Sequence, residues 1–428
     1  MEGGILEQVN YGAFSADVHQ HYSGQRIPLQ VSIEVTRRCP LECLHCYNNL
    51  PVGDLVAKRR EMTKEEHFGV LDELVEMGCF WILYTGGEIF ARKDFLEIYT
   101  YAKKKGFLIT LFTNGTIISE QIADYLKEWP PFAIEITLYG RTRETYEALT
   151  MVRGSYDRCL RGIKLLKERG LPLKLKTVAT SINKHEVMAM RRFAEEELGV
   201  EFKMDGQINP RIDCSQSPLA VRLKPEEVVA LDMSTAKSVS EYRKLADREA
   251  EFPQPRLATI DTVYFCGGGV KSFAINAYGE MGICVMSQQE TFDVRDAGIK
   301  HSWEHFLSEL RMRKRTRFTK CINCRIQSLC GMCAANGEME NGDKETPVDF
   351  LCQVAHLRAM VIGRGVPAHG ECKYCAGGSA YLDLIDSAER IQRHEIDLGS
   401  PAELKQPFQI LNNPSSLEIG CGGCEGHN

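Results

Sequence analysis

Residues 36–48, Thr-Arg-Arg-Cys-Pro-Leu-Glu-Cys-Leu-His-Cys-Tyr-Asn, decide how the rest of this 428-residue chain is read. Cys39, Cys43 and Cys46 stand in a C-x3-C-x2-C spacing, directly after Leu29-Gln-Val-Ser-Ile-Glu-Val35, which reads as a strand. Three thiolates on one short loop wrap one face of a small metal cluster. A structural zinc ion wants four ligands and is left one short here. Iron–sulfur clusters take thiolates as their standard ligands. A cubane held by three cysteines keeps one iron open to an outside ligand.

Working outward, short apolar runs alternate with amphipathic helical stretches from residue 29 to about 206. Strands are expected at Leu29–Val35, Phe80–Tyr84, Leu108–Phe112, Ala133–Leu138, Leu173–Val178 and Glu201–Met204. Helical patterns lie between them at Lys64–Met77, Asp94–Lys105, Ser119–Glu128, Tyr156–Arg169 and Lys184–Leu198. Repeated β then α implies a parallel sheet with right-handed crossovers. Reactive residues in such sheets gather at the C-terminal strand ends, where the three-cysteine loop sits. The second strand ends in Thr85-Gly86-Gly87-Glu88, where glycines permit a close backbone approach and a carboxylate can accept from an ammonium. A tight turn with a helix-capping acid is the plainer reading of that stretch.

The spacing of the cysteines, with His45 before the last, resembles the signature of the radical S-adenosylmethionine (SAM) superfamily. The resemblance implies a (β/α)6 partial TIM barrel over residues 29–206, with a [4Fe–4S] cluster on Cys39, Cys43 and Cys46. Its open iron would bind SAM, which reduction cleaves to methionine and a 5′-deoxyadenosyl radical. Gly86, Gly87 and Glu88 are similar to the family's GGE motif for the SAM amino group, with Ile89 where relatives usually carry Pro. By position Thr137 would contact SAM and Arg153 its carboxylate; for both a structural role is an equal alternative. Thr113-Asn-Gly115 matches a common structural turn of the family. Asn183, Glu186 and Asp205 border the ligand end with structural roles expected.

Composition frames this reading. The hydrophobic share of 43% and charged share of 26% are those of an ordinary globular protein. A net charge of −6 argues against a general nucleic-acid binder. No basic, apolar leader opens the chain and no apolar run approaches the roughly 18 residues of a membrane span, so a cytoplasmic location is expected. Seventeen cysteines in a reducing compartment are metal ligands before they are disulfides. The isolated Cys79, Cys159 and Cys214 read as small core residues.

Residues 1–28 form a lead-in, irregular or weakly helical, and residues 207–260 a proline-flanked linker with helices at Pro225–Asp232 and Ser240–Glu249. Beyond them Cys266-x12-Gly279-x4-Cys284 precedes Cys321-x2-Cys324-x5-Cys330-x2-Cys333 and Cys352. A β-hairpin is expected from Ser272–Asn276 and Met281–Val285 around the Tyr-Gly-Glu turn. On its own, C-x2-C-x5-C-x2-C suits a zinc site. With the upstream motif, residues 261–352 resemble a SPASM domain, a small cysteine-rich unit of hairpin and short helices that binds two auxiliary [4Fe–4S] clusters. The resemblance implies Cys266, Cys284 and Cys333 on the first and Cys321, Cys324, Cys330 and Cys352 on the second. Gly267-Gly-Gly follows Cys266 without the further cysteine of some relatives, leaving an open iron or another ligand for the first cluster. The basic run Arg311–Arg317 reads as a solvated helix end, or a dock for an acidic donor or peptide.

Residues 353–428 exceed the resemblance. They carry Cys372-x2-Cys375 and Cys421-Gly-Gly-Cys424, pairs that can close one zinc site or a further cluster. The alternatives are a mobile redox tail, or a cysteine supplied to the open iron of the first auxiliary cluster.

The cofactor chemistry is thus more sharply specified than the substrate. The SPASM resemblance implies a peptide or protein side chain undergoing crosslinking, thioether formation or oxidation. It also implies a reducing partner such as flavodoxin or ferredoxin, and a separate peptide-recognition protein, because only 28 residues precede the core. A small-molecule substrate is the first competitor and a non-catalytic electron carrier the second. Glu88 and an open iron argue against the carrier, which needs neither.

Overall fold

The computed structural model describes residues 10–251 and 261–399. Six parallel strands run in sequential order, β1 (Gln30–Thr36), β2 (Trp81–Gly86), β3 (Leu108–Thr113), β4 (Ala133–Thr137), β5 (Leu173–Val178) and β6 (Phe202–Asp205). Helices connect them, and the sheet does not close. The protein is mixed α/β: a parallel partial barrel followed by a cysteine-rich region.

Alternation along the strands separates two faces. Ile33, Tyr84, Leu111, Ile134 and Leu175 point outward and are sealed beneath the helices. The opposite, concave face carries Glu34, Thr85, Phe112, Glu135, Thr137, Lys176 and Lys203. A polar inner face is what a ligand-binding half-barrel requires; a filled barrel would be apolar there.

The hairpin forms at Ser272–Ile275 (β7) and Glu280–Gly282 (β8), followed by Phe292–Asp293 (β9). It is not a free-standing element. Strand β7 pairs parallel to β1, from Gln30↔Ser272 to Ile33↔Ile275, giving one nine-stranded sheet ordered β9-β8-β7-β1-β2-β3-β4-β5-β6. The open edge of β1 is thereby covered.

Several helices depart from the sequence reading. The lead-in contains a helix at Tyr11–His21, capped by the Asn10 side chain. The stretch read as one helix, Lys184–Leu198, divides into a 3-10 turn (Lys184–Glu186), an α-helix (Val187–Arg192) and a π-turn (Phe193–Glu197). Helix Arg143–Thr150 lies in a segment for which no helix was expected. Pro225–Asp232 forms as expected, and the second linker helix begins earlier, at Ala236. Cys352 lies in the first turn of a helix, Asp349–Val361, and a further helix follows at Tyr381–Gln392. Among the described residues no helix is long and apolar enough to cross a membrane.

Candidate iron–sulfur and SAM site

The three-cysteine loop leaves the C-terminal end of β1 and is closed at its root. Arg38–Cys39 pairs with Leu50–Pro51 as a two-residue parallel bridge. Arg38 is buried, and its guanidinium donates to both oxygens of Glu61 at 2.8 and 3.0 Å. From the linker, Arg211 donates to the Cys46 carbonyl at 3.2 Å and to the Asn49 carbonyl at 2.9 Å. Ile212 N–H donates to the Tyr47 carbonyl at 3.0 Å. Residues 162–165 positions apart thus hold one loop.

Cys39, Cys43 and Cys46 converge. Burial first, and then one another's proximity, push the Cys39 and Cys43 thiols up; burial chiefly does the same for Cys46. Three thiolates sharing so buried a place need a cation to compensate them, and this donor set fits an iron–sulfur cluster. Leu41 N–H and Asn114 Nδ2 donate to Cys39 Sγ at 3.4 and 3.5 Å. Tyr139 and Cys43 pack together against Cys39, Leu41 and Val152, and Thr137 ends strand β4 two residues before Tyr139. The His45 ring lies 5.0 Å from that of Tyr139, and burial lowers its pKa to about 4, keeping it neutral.

The Gly-Gly-Glu turn abuts this loop. Gly86 has φ +136°, and a Cβ there would stand 2.1 Å from the Thr36 carbonyl oxygen; one on Gly87 would meet the Arg37 oxygen at 2.5 Å. The close approach these glycines permit is to the chain's own backbone. Gly87 N–H donates to Thr36 O at 2.8 Å and Glu88 N–H to Arg38 O at 3.0 Å. Glu88 is fully buried and accepts from Phe90 N (3.2 Å), Thr113 Oγ1 (2.7 Å) and Asn114 N (2.8 Å). Burial nonetheless raises its pKa to about 7. Its carboxyl ties the end of β2 to that of β3. Arg153 lies on an exposed turn just after Val152, which packs against Cys39. Asn183 and Glu186 are structural: Asn183 bonds Tyr139 O and Thr180 N, and Glu186 accepts from residues 141, 142 and 145.

The concave face adds residues the sequence reading passed over. Glu135 lies between Lys203 (2.8 Å) and Lys176 (3.4 Å). The Lys176 ammonium sits 2.8 Å from the centroid of the Phe112 ring. Burial lowers the Lys176 pKa to about 8 although Glu135 opposes the shift. Alternating lysines in Leu173-Lys-Leu-Lys176, on a strand otherwise buried, were the available signal.

In the second module burial first, and then the nearness of Cys266, push the Cys284 and Cys333 thiols up, with Cys333 also acting on Cys284. Cys321, Cys324, Cys330 and Cys352 line a common cavity that Cys333 also borders. Each set is a fitting donor group for a cluster. The basic run is largely partnered inside its module: Arg313 with Glu290, Lys314 with Asp261 and Arg317 with Asp343. Cys79 and Cys159 are core residues, whereas Cys214 is half-buried where the linker meets Glu338. Cys372 and Cys375 are met by His356 and His369. Cys421 and Cys424 lie outside the described residues.

A parallel half-barrel with three convergent thiols at its C-terminal rim, joined to a cysteine-rich module, defines a class of iron–sulfur enzyme. Residues 33–194 match the family model described as Radical SAM superfamily. It is similar to the Fe-coproporphyrin III synthase of Methanosarcina barkeri, 32% identical over 194 residues, covering 45% of this chain and 47% of that protein. It is 22% identical over 337 residues to the AdoMet-dependent heme synthase of the same organism, covering 74% and 94%. The PqqA peptide cyclase of Bradyrhizobium diazoefficiens is 31% identical over 161 residues, 38% of this chain and 42% of that one. The chain thus spans about half the length of the first and third of these relatives. Among solved structures, Streptococcus suis SuiB bound to precursor peptide SuiA superposes with a TM-score of 0.58 at 16% identity, covering 82% of this chain and 84% of that one.

Proposed function

We propose that this radical SAM enzyme modifies a ribosomally made peptide or protein side chain, by crosslinking, thioether formation or oxidation. When bound, a [4Fe–4S] cluster with SAM supplies reductive cleavage to a 5′-deoxyadenosyl radical able to take hydrogen from a substrate. Cys39, Cys43 and Cys46 would hold that cluster. Asn114 and Leu41 N–H stabilise Cys39 as thiolate, and Arg211 keeps the loop in register. Gly86, Gly87, Glu88, Thr137 and Arg153 are the residues assigned to the SAM side. The concave face, with Glu135, Lys176 and Lys203, would orient the substrate.

The observation that carries the peptide reading is the second cysteine module built onto the same sheet as the core. Cys266, Cys284 and Cys333, and Cys321, Cys324, Cys330 and Cys352, would hold two auxiliary clusters there. The likeness to SuiB bound to its precursor peptide, and to PqqA peptide cyclase, supports this reading. A reducing partner such as a flavodoxin or ferredoxin would serve it, with a separate protein for peptide recognition. A small-molecule substrate is the second reading, favoured by the relatives named for coproporphyrin and heme synthesis and by the paired lysines of the concave face.

The test is anaerobic reconstitution with SAM, dithionite and a candidate precursor peptide. 5′-Deoxyadenosine and a hydrogen-loss mass shift in the peptide are expected. Changing Cys39, Cys43 and Cys46 together to Ala should abolish both while iron remains at the other cysteines. Undiminished deoxyadenosine from that variant would defeat the site assignment. Turnover of a small molecule with every offered peptide inert would favour the second reading.

A further inference from the structure

The ligand atoms of His356, His369, Cys372 and Cys375 all lie within 4.8 Å of one another. His356 Nε2 is 3.5 Å from Cys372 Sγ, and His369 Nδ1 is 3.3 Å from Cys375 Sγ. Around a tetrahedral zinc ion, with bonds of about 2.3 Å to sulfur and 2.0–2.1 Å to nitrogen, neighbouring ligands stand roughly 3.3–3.8 Å apart. Two sulfur–nitrogen pairs already have that spacing. A two-iron centre with the same ligand types would divide the histidines and cysteines between different irons. Four atoms drawn this close suit a single ion.

The surroundings are prepared for it. Cys372, Cys375 and His356 are buried and His369 is half-buried. His356 Nδ1 lies 2.7 Å from the Cys352 carbonyl oxygen, so that nitrogen carries the proton and Nε2 presents its lone pair toward Cys372. The cysteines sit on a tight knuckle: Gly378 N–H donates to Cys375 O at 2.8 Å, and a Cβ on Gly378 would stand 2.4 Å from the Lys373 oxygen.

Apart from the four ligands, side chains tie the segment to helix Asp349–Val361 through Asp349, which accepts from Tyr374 Oη at 2.7 Å and Lys373 Nζ at 3.0 Å. Residues 362–380 join helix Asp349–Val361 to helix Tyr381–Gln392 without a helix or strand. Connections this long, beyond about 12–15 residues, are uncommon in compact domains unless something organises them. Its buried side chains are Val366, Cys372, Tyr374 and Cys375, too few to form a core.

We propose that His356, His369, Cys372 and Cys375 bind one zinc ion that fastens this connection to helix Asp349–Val361. Binding displaces the two thiol protons to solvent and involves no redox change. Cys372 and Cys375 thereby have partners that do not include Cys421 and Cys424. The ion would lie beside Cys352 yet belong to neither auxiliary set.

Metal analysis and zinc-edge X-ray absorption on the full-length protein, isolated anaerobically, test this. One zinc per chain with two sulfur and two histidine-nitrogen ligands is expected. Cys372→Ser/Cys375→Ser should lose the zinc and keep its iron; Cys421→Ser/Cys424→Ser should keep both. His369→Cys guards against misfolding, since it should retain zinc with three sulfurs in place of two. Absence of zinc from the wild-type protein, a four-sulfur shell, or loss of about four irons in the Cys372/Cys375 variant would each overturn the proposal.

Discussion

Glu88 shows how one buried side chain can be more than a ligand. Its carboxyl accepts from Phe90 N, Thr113 Oγ1 and Asn114 N, and Asn114 in turn donates to Cys39 Sγ. Glu88→Ala leaves buried donors unsatisfied, each at roughly 1–3 kcal/mol. Denaturant unfolding should show a loss of at least that size even without SAM. An unchanged unfolding midpoint would mean that Glu88 is not a strut between β2 and β3. Lys176 makes a pH-dependent case. Its pKa is about 8 in the folded chain against an ordinary 10.5, so between those values the unfolded chain holds a proton that the folded chain has released. Stability then rises with pH across that window, and below about pH 8 the full penalty of burying the ammonium persists. Lys176→Met should flatten the rise in melting temperature between pH 8 and 10.5. Persistence of the same slope in the variant would assign it to another group.

At the scale of elements, the rim of the half-barrel is set by backbone packed against backbone. The ends of β1 and β2 approach so closely that Gly86 has no room for a Cβ, and its φ of +136° excludes other residues independently. Gly86→Ala should therefore displace residues 36–38 and with them the root of the cysteine loop. The expected result is a lower melting temperature together with loss of about four irons per chain on reconstitution. Full iron with unchanged stability would show that the rim tolerates the methyl. The helical patterns follow the same logic of local and non-local causes. Pro225–Asp232 forms at the expected bounds, since Pro225 at its first position and Glu227 bonding back to Lys224 N–H define its start locally. Lys184–Leu198 splits because Lys184 is drawn to Glu227 at 2.5 Å while Asn183 bonds Tyr139 O, both non-local demands.

Across the whole molecule, the core and the linker are tied to the later, cysteine-rich part of the chain at several points. Strand β7 pairs with β1; Arg222 of the linker donates to both oxygens of Glu340; and Arg358 pairs with the buried Asp232 at 2.7–2.8 Å. Removing one partner of a buried pair costs roughly 3–5 kcal/mol, because the other charge is left uncompensated. Arg358→Met should therefore lower the unfolding free energy by about that much, and Arg358→Met/Asp232→Asn should recover most of it. Equal losses in the single and double variants would show that the pair contributes nothing as a pair. The joined architecture fixes the distance between the three-cysteine loop and the module's cysteines, as electron transfer between them would require.

The three-cysteine loop, the β/α alternation and the hairpin were legible in the sequence, because each rests on neighbours a few positions apart and on the period of apolar residues. Spacing alone brought Cys39, Cys43 and Cys46 together, and turn chemistry alone placed the hairpin. What lies on the concave face was not legible, since Glu135, Lys176 and Lys203 come from three strands and only pairing register makes them neighbours. Asn114, Tyr139 and Arg211 reach the cysteine loop from separate segments, with no local pattern to announce them. His356 and His369 were overlooked for the same reason: Cys372 and Cys375 advertised a metal site, but a helix and a loop had to fold back before two histidines could meet them. Ligands adjacent in the chain are written in its spacing; ligands assembled across it exist only once the apolar faces have packed.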